Sequence, residues 1–180
     1  MPRAESRRES SSETPDAPYV VRRSSVHGDG AFAVRPIAKG EVIDEYIGDR
    51  ISHGQANERY SDRDFNDNHT FLFTVSSRTV IDGSVGGNGA RFINHKCDAN
   101  CEPQIRRGRV FIVATRRIEA GEEIGFEYNI GREDDDPPNV DEIYACRCGS
   151  PKCRGTILWP PRSSLARRRK IRASRSGRRR

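Results

Sequence analysis

Three features of the sequence predict a mostly β domain with few short helices. Between Tyr19 and Tyr128 short apolar runs recur: YVVRRSSV, AFAV, EVIDEYIG, TFLFTV, RTVID, RVFIVAT and EIGFEY. Clusters of Gly, Asn and Asp separate them, and runs of about four to eight residues between turn signals are the pattern of many short strands. Only Gln55–Tyr60 and Asp141–Tyr144 read as helical.

The chain has 180 residues, enough for one domain with tails. Hydrophobic residues make up 33% and charged residues 32%, so the core must be compact and the surface extensive. The longest apolar stretch, Val110 to Ala114, falls far short of the roughly 18 residues a spanning helix needs. No signal peptide opens the chain, so neither a membrane nor secretion is expected. The net charge of +6 is unevenly placed. Residues 166–180 hold nine basic residues and no acid, which leaves the first 165 residues with 23 basic and 26 acidic side chains.

In chain order, residues 1–17 are polar, mixed in charge and without apolar period, and read as a disordered arm. The body runs over 18–131. Within it Ile37-Ala-Lys-Gly40-Glu41-Val-Ile43 resembles Ile118-Glu-Ala-Gly121-Glu122-Glu-Ile124, which predicts two tight turns of one type, each delivering a strand. Residues 132–143 form an acidic, proline-containing linker, expected to be solvated. A cysteine segment follows over 144–160, and the basic tail over 161–180 should self-repel and stay disordered alone.

Cys146-Arg-Cys148-x4-Cys153 places three soft ligands within eight residues. Zinc prefers a tetrahedron of thiolates and imidazoles, and a closed structural site needs a fourth ligand. Cys97, Cys101 and His95, about 50 residues upstream, are the candidates, and any of them would clamp this segment onto the body. Five cysteines, an odd number, point to a reducing intracellular compartment rather than a disulfide-stapled secreted domain. That means cytoplasm or nucleoid in a bacterium, nucleus or chromosome in a eukaryote.

Three segments together resemble the SET-domain protein lysine methyltransferases. The first is His27-Gly-Asp-Gly-Ala-Phe-Ala33, with Ile37-Ala-Lys-Gly-Glu-Val and Glu45-Tyr-Ile-Gly48 after it. The second is Gly89-Ala-Arg-Phe-Ile-Asn-His-Lys-Cys-Asp-Ala-Asn-Cys101, and the third is Gly121-Glu-Glu-Ile-Gly-Phe-Glu-Tyr128 followed by the cysteine segment to Gly155. The resemblance covers about residues 18–158. It implies a SET-domain fold of small curved β-sheets, a knot-like threading of the C-terminal motif, and a zinc-bound post-SET segment in which Cys97 joins Cys146, Cys148 and Cys153.

It also implies an S-adenosylmethionine-dependent protein-lysine N-methyltransferase acting on histone-like or other basic proteins. Tyr128 would be the catalytic tyrosine. Phe126 would occupy the position that sets how many methyls are added, and Phe there leaves room for di- or trimethylation. Gly28, Asp29, Gly30, Phe71, Asn94 and His95 would form the cofactor site. Asp29 replaces a bulky residue, and Phe71 stands where the family often has Tyr. Lys96 and Ala99 replace Ser and Pro as tolerated changes. The chemistry itself needs a neutral amine. A free lysine titrates near ~10.4, and an apolar channel lowers that value.

Arg167–Arg180 is suited to salt-sensitive contact with nucleic-acid phosphates, and equally to localisation or solubility. Two rivals remain in view: a catalytically inactive SET module acting as a scaffold, supported by Asp29 and Phe71, and a zinc-containing nucleic-acid binder whose tail carries the function.

Overall fold

The computed structural model describes residues 17–62, 70–134 and 136–159. The expected arm, of which only Ala17 is described, and the basic tail lie outside these residues. The described residues form ten strands, two short α-helices and one 3-10 turn at Gly89–Phe92. Strands β1 (Tyr19–Arg23) and β2 (Asp29–Ala33) form an antiparallel hairpin, with Val20 opposite Phe32 and Arg22 opposite Gly30. Strand β3 (Val42–Tyr46) pairs with β9 (Arg109–Ala114), which pairs in turn with β8 (Cys101–Arg106). A third sheet has the order β4 (Asp49–Ile51), β6 (Val80–Asp82), β5 (Leu72–Thr74).

Two of these strands escape the sequence pattern. The first, β8, contains Pro103 and mostly polar residues, which suit an edge strand because proline gives no ladder donor. The other, β4, has only three residues. The core is aliphatic: Ile37, Ile93, Val110, Ile112, Ile118 and Ile124 are all at most 1% exposed.

The two similar turns pair with each other. Ile37 and Ile118 exchange main-chain hydrogen bonds at 2.9 and 3.0 Å. Gly40 N donates to Ala114 O, just before the second turn, and Gly121 N donates to Ala33 O, just before the first. The side chains repeat the relation, with Arg35 on Glu41 and Arg116 on Glu122. Each carboxylate also accepts a main-chain N–H of its own turn, from Ala38 and from Glu119. Gly40 and Gly121 share φ +83°, the left-handed region where a side chain is strained. One turn chemistry, used twice, locks the two halves of the body.

Helix α1 spans His53–Arg59, beginning earlier than Gln55 because Ser52 and Gln55 form a capping box. Arg59 then reaches Asp82 at 2.6 Å and Asp49 at 2.7 Å, and the Tyr60 hydroxyl donates to Asp82 at 2.9 Å. Helix α1 is thereby pinned to the third sheet. Helix α2 spans Val140–Ile143 and ends one residue before the expected Tyr144. The acidic linker is less solvated than its composition suggests: Val140 is fully buried, and Arg132 pairs with Asp141.

Strand β10 (Gly125–Phe126) runs parallel to β7 (Asn94–His95). The loop after β7 then returns to its other side, where Asn100 N donates to Gly125 O and Gly125 N donates to the Asn100 side chain. One stretch, 94–100, therefore grips β10 from both sides, which is the knot-like threading expected. No helix among the described residues is long and apolar enough to cross a membrane.

Candidate functional site

The threading fixes Tyr128 two residues beyond β10. Its hydroxyl donates to Ile93 O at 2.8 Å, and its main-chain N–H donates to His95 Nδ1 at 3.3 Å. Burial, then nearby negative groups, push the phenol well above its usual range. At neutral pH Tyr128 is therefore a protonated hydrogen-bond donor. Phe126 lies beside it, with ring centroids 5.0 Å apart, and is 5% exposed.

Two cavities meet at Tyr128. One, of about 290 Å³, is lined by Asp29, Asn94, His95 and Arg147 among polar residues and by Phe92 and Ile143 among apolar ones. The other, of about 710 Å³, has aromatic walls that include Tyr46, Phe73, Phe126 and Tyr144. Thr70, Phe71, Arg91, Tyr128 and Ile157 line both. The first has mixed polarity, as small-molecule sites do. An aromatic channel suits an alkyl chain ending in an amine, since it desolvates the charged form and lowers the pKa.

Of the residues expected to hold a cofactor, Asp29, Phe71, Asn94 and His95 line the smaller cavity, whereas Gly28 and Gly30 are not among its lining residues. Gly30 is required for another reason: a Cβ there would meet Glu123 Oε1 at 2.4 Å and Ser24 Cβ at 2.9 Å. The Asn94 amide ties the opening turn in place, donating to Asp29 O at 3.1 Å and Glu123 Oε1 at 3.0 Å. Asp29 itself turns toward Arg23 at 3.5 Å. Phe71 packs edge-on against Phe92, with centroids 5.5 Å apart, and its carbonyl accepts from the Tyr46 hydroxyl at 2.6 Å.

Arg91, Tyr46 and Glu127 were not singled out in the sequence. Arg91 sits inside the central motif, so its position was visible, but its place in the wall of both cavities was not. Its guanidinium lies 4.6 Å from the Phe92 ring centroid, and its Nε is buried without a hydrogen-bond partner among the described residues. That unsatisfied donor beside a cavity of mixed polarity fits an anionic or carbonyl group of a ligand. S-adenosylmethionine, with a carboxylate and a nucleoside, meets that requirement.

Cys97, Cys146, Cys148 and Cys153 bring their sulfur atoms within 4.8 Å of one another. The Cys97–Cys146 separation is 3.7 Å, close to the edge of about 3.8 Å that a tetrahedron with metal–sulfur bonds near 2.3 Å requires. The donor set fits a structural zinc. Cys101 stands apart in the core, its thiol pushed up to about 12, chiefly by burial. His95 is no ligand either: its Nε2 lies 3.3 Å from Cys97 Sγ. Because Nδ1 accepts from Tyr128, the ring proton sits on Nε2 and points at that sulfur. Burial holds the His95 pKa below its usual value, so the ring is neutral.

Glu127 completes the join. It pairs with Arg154 of the cysteine segment and stands 3.4 Å from His95 Nδ1. Cys97 and Tyr128 are thus connected through His95, and Glu127 ties Arg154 of the cysteine segment to the chain just after β10.

Comparison with known proteins agrees with this geometry. The family model described as SET domain matches residues 28–129. The chain is 40% identical over 147 residues to "Histone-lysine N-methyltransferase, H3 lysine-4 specific" of Saccharomyces cerevisiae, a match covering 78% of this chain and 13% of that protein. It is 37% identical over 146 residues to "Histone-lysine N-methyltransferase ash1" of Drosophila melanogaster, covering 78% of this chain and 6% of that one. Against "Histone-lysine N-methyltransferase trithorax" of Drosophila virilis it is 35% identical over 141 residues, covering 76% and 4%. The chain thus matches only a small part of each of these relatives.

Proposed function

The chain belongs to the SET domain family, and from that premise we propose that it is an S-adenosylmethionine-dependent protein-lysine N-methyltransferase acting on histones or other basic proteins. The observation that carries this reading is the meeting of a mixed-polarity cavity and an aromatic one at Tyr128. Asn94, His95, Asp29, Phe71 and Arg91 would hold the cofactor, whose methyl carbon, bonded to a cationic sulfur, is open to displacement by a neutral amine. The walls formed by Tyr46, Phe73 and Phe126 desolvate the incoming lysine and favour its neutral form. Tyr128, held by Ile93 and His95, orients the amine and supports developing charge with a fixed hydroxyl dipole. Phe126 offers no hydroxyl to restrain the amine, which leaves room for di- and trimethylation.

The proposed organisation is a SET body at 18–131, an acidic linker at 132–143 and a zinc segment at 144–160. The arm at 1–17 and the tail at 161–180 flank it. Chromatin is the proposed place of action, and Arg167–Arg180 the proposed contact with nucleic acid. Asp29 and Phe71 both line the smaller cavity, so any weakening they cause would be read directly as cofactor affinity.

Two experiments test the reading. Calorimetry with S-adenosylmethionine should show one site per chain. Labelled methyl should pass to lysine in a panel of purified histones and host extract. An absence of both binding and transfer would favour the scaffold.

A further inference from the structure

We propose that the tip of the β8–β9 hairpin, together with Arg50 of β4, is a contact for the phosphate backbone of double-stranded DNA, set apart from the methyl-transfer site. The choice of DNA over RNA rests on the proposed action on histones; the charge argument does not.

Residues 103–118 carry five arginines and no acid, although the first 165 residues hold 26 acids against 23 bases. Three of the five meet at the hairpin tip. Arg106 and Arg109 face each other across the ladder, and Arg107-Gly108 closes it as a two-residue turn. Arg50 joins them from a different sheet: its Nη2 lies 3.7 Å from where a Cβ on Gly108 would stand. All four arginines are exposed, and none lines either cavity.

Little carboxylate charge offsets them. Glu45 holds Arg109 through both of its oxygens. Asp49, next to Arg50, is taken by Arg59. Glu102, the first acid back along β8, accepts from Gln104, which in turn accepts from Arg106 at 2.6 Å. Arg50, Arg106 and Arg107 therefore have no ion pair among the described residues. Four cations beside one carboxylate repel one another, and a polyanion relieves that repulsion. A DNA duplex presents about one negative charge per 1.7 Å of its axis.

The turn's backbone points the same way. Arg107 has φ +52° and Gly108 φ +76°. A two-residue turn with both central φ positive matches the twist of its strands, and Asn-Gly is its usual filling. Arginine gains nothing from that conformation; what it adds is a cation at the hairpin's tip.

The aromatic residue of this face argues for a duplex. Phe111 is half-buried, with the Arg106 and Arg109 guanidinium groups 5.7 and 4.9 Å from its ring centroid. A ring covered in this way offers no open platform for an unpaired base, on which single-strand binding relies. Guanidinium groups fixed on a sheet suit phosphate oxygens, which position a protein on DNA without reading its sequence.

The test uses the full chain, so that the C-terminal arginines contribute equally to every variant. Anisotropy of a labelled random-sequence DNA duplex is followed from about 50 to 200 mM salt. The slope of log affinity against log salt should be shallower by about 2 in the double variant Arg106→Gln with Arg107→Asn, and by about 1 in Arg50→Gln. Arg107→Asn alone should lose affinity yet melt no lower than wild type, since asparagine accepts positive φ, which separates a lost contact from a damaged fold. Methyl transfer to a free histone peptide should be unchanged in all of these variants. Equal slopes for wild type and variants would overturn the inference and leave the methyltransferase reading intact. Tighter binding of a single strand or an RNA duplex, with the same loss in the variants, would overturn the assignment to DNA. A loss seen against polyglutamate and not against the duplex would give this face to an acidic protein and overturn the inference. Shallower slopes in the variants with no peptide transfer by wild type would sink the methyltransferase reading while the hairpin contact stands.

Discussion

Tyr128 is kept protonated. Burial and neighbouring groups raise its pKa, and its proton is already given to Ile93 O, so in the proposed reaction it would orient an amine without accepting a proton. The sign of the pH dependence follows. Turnover should rise with pH as the substrate lysine loses its proton, and no falling limb from Tyr128 should appear below about pH 10. A rate profile with a peptide acceptor checks this. His95 is the second informative residue, since it faces Tyr128 N–H with one ring nitrogen and Cys97 with the other. His95→Ala should weaken zinc binding by about 10–100-fold, measured by competition with a chromogenic chelator. Neither contact of His95 could be read from the sequence. The Asn94-His95 pair was visible in its motif, but its partners are brought to it by β10 and by the cysteine segment.

At the scale of elements, the paired turns make a symmetric prediction. Gly40 and Gly121 have the same φ and open space where a Cβ would go, so strain comes from the backbone alone. Gly40→Ala and Gly121→Ala should each cost about 1–2 kcal/mol in denaturant melts, and by similar amounts. Glu122 adds a pH signature. The Arg116 guanidinium, against some opposition from burial and with help from Asn100 and Glu119 N–H, brings its carboxyl down to about 2 from 4.5. A depressed carboxylate stabilises the fold above its unfolded pKa and loses that contribution as protons bind. Stability should therefore fall as pH drops from about 4.5 toward 2, and Glu122→Gln should flatten that part of the curve. The turns were legible because the same residues repeat at the same spacing. Their mutual pairing was not, since it joins segments about 80 residues apart. Helix α1 was legible to within two residues at its start, and the Ser52–Gln55 capping signal stood in the sequence. Strand β8 was hidden because an edge strand needs neither apolar alternation nor freedom from proline.

The whole molecule is closed by its cysteine cluster. Cys97 lies in the loop that grips β10, and the other three ligands lie in the segment that supplies Ile157 to both cavities. Zinc would therefore hold the cavity walls together as well as the chain end. Chelation, or Cys97→Ser, should release the metal and increase exchange at Ile157–Trp159, with loss of turnover, while the Ile37–Ile118 pairing persists. The ligand set was legible from spacing and motif. The two cavities were not, because their walls come from eight separated stretches of chain that only the fold brings together. The central claim is that these cavities form one site with Tyr128 at their junction. Its most direct test is single-turnover methyl transfer to a histone peptide, comparing wild type with Tyr128→Phe, with cofactor affinity measured on both. The predicted result is a rate lowered by about 100-fold or more at unchanged affinity. Equal rates in the two proteins would contradict it.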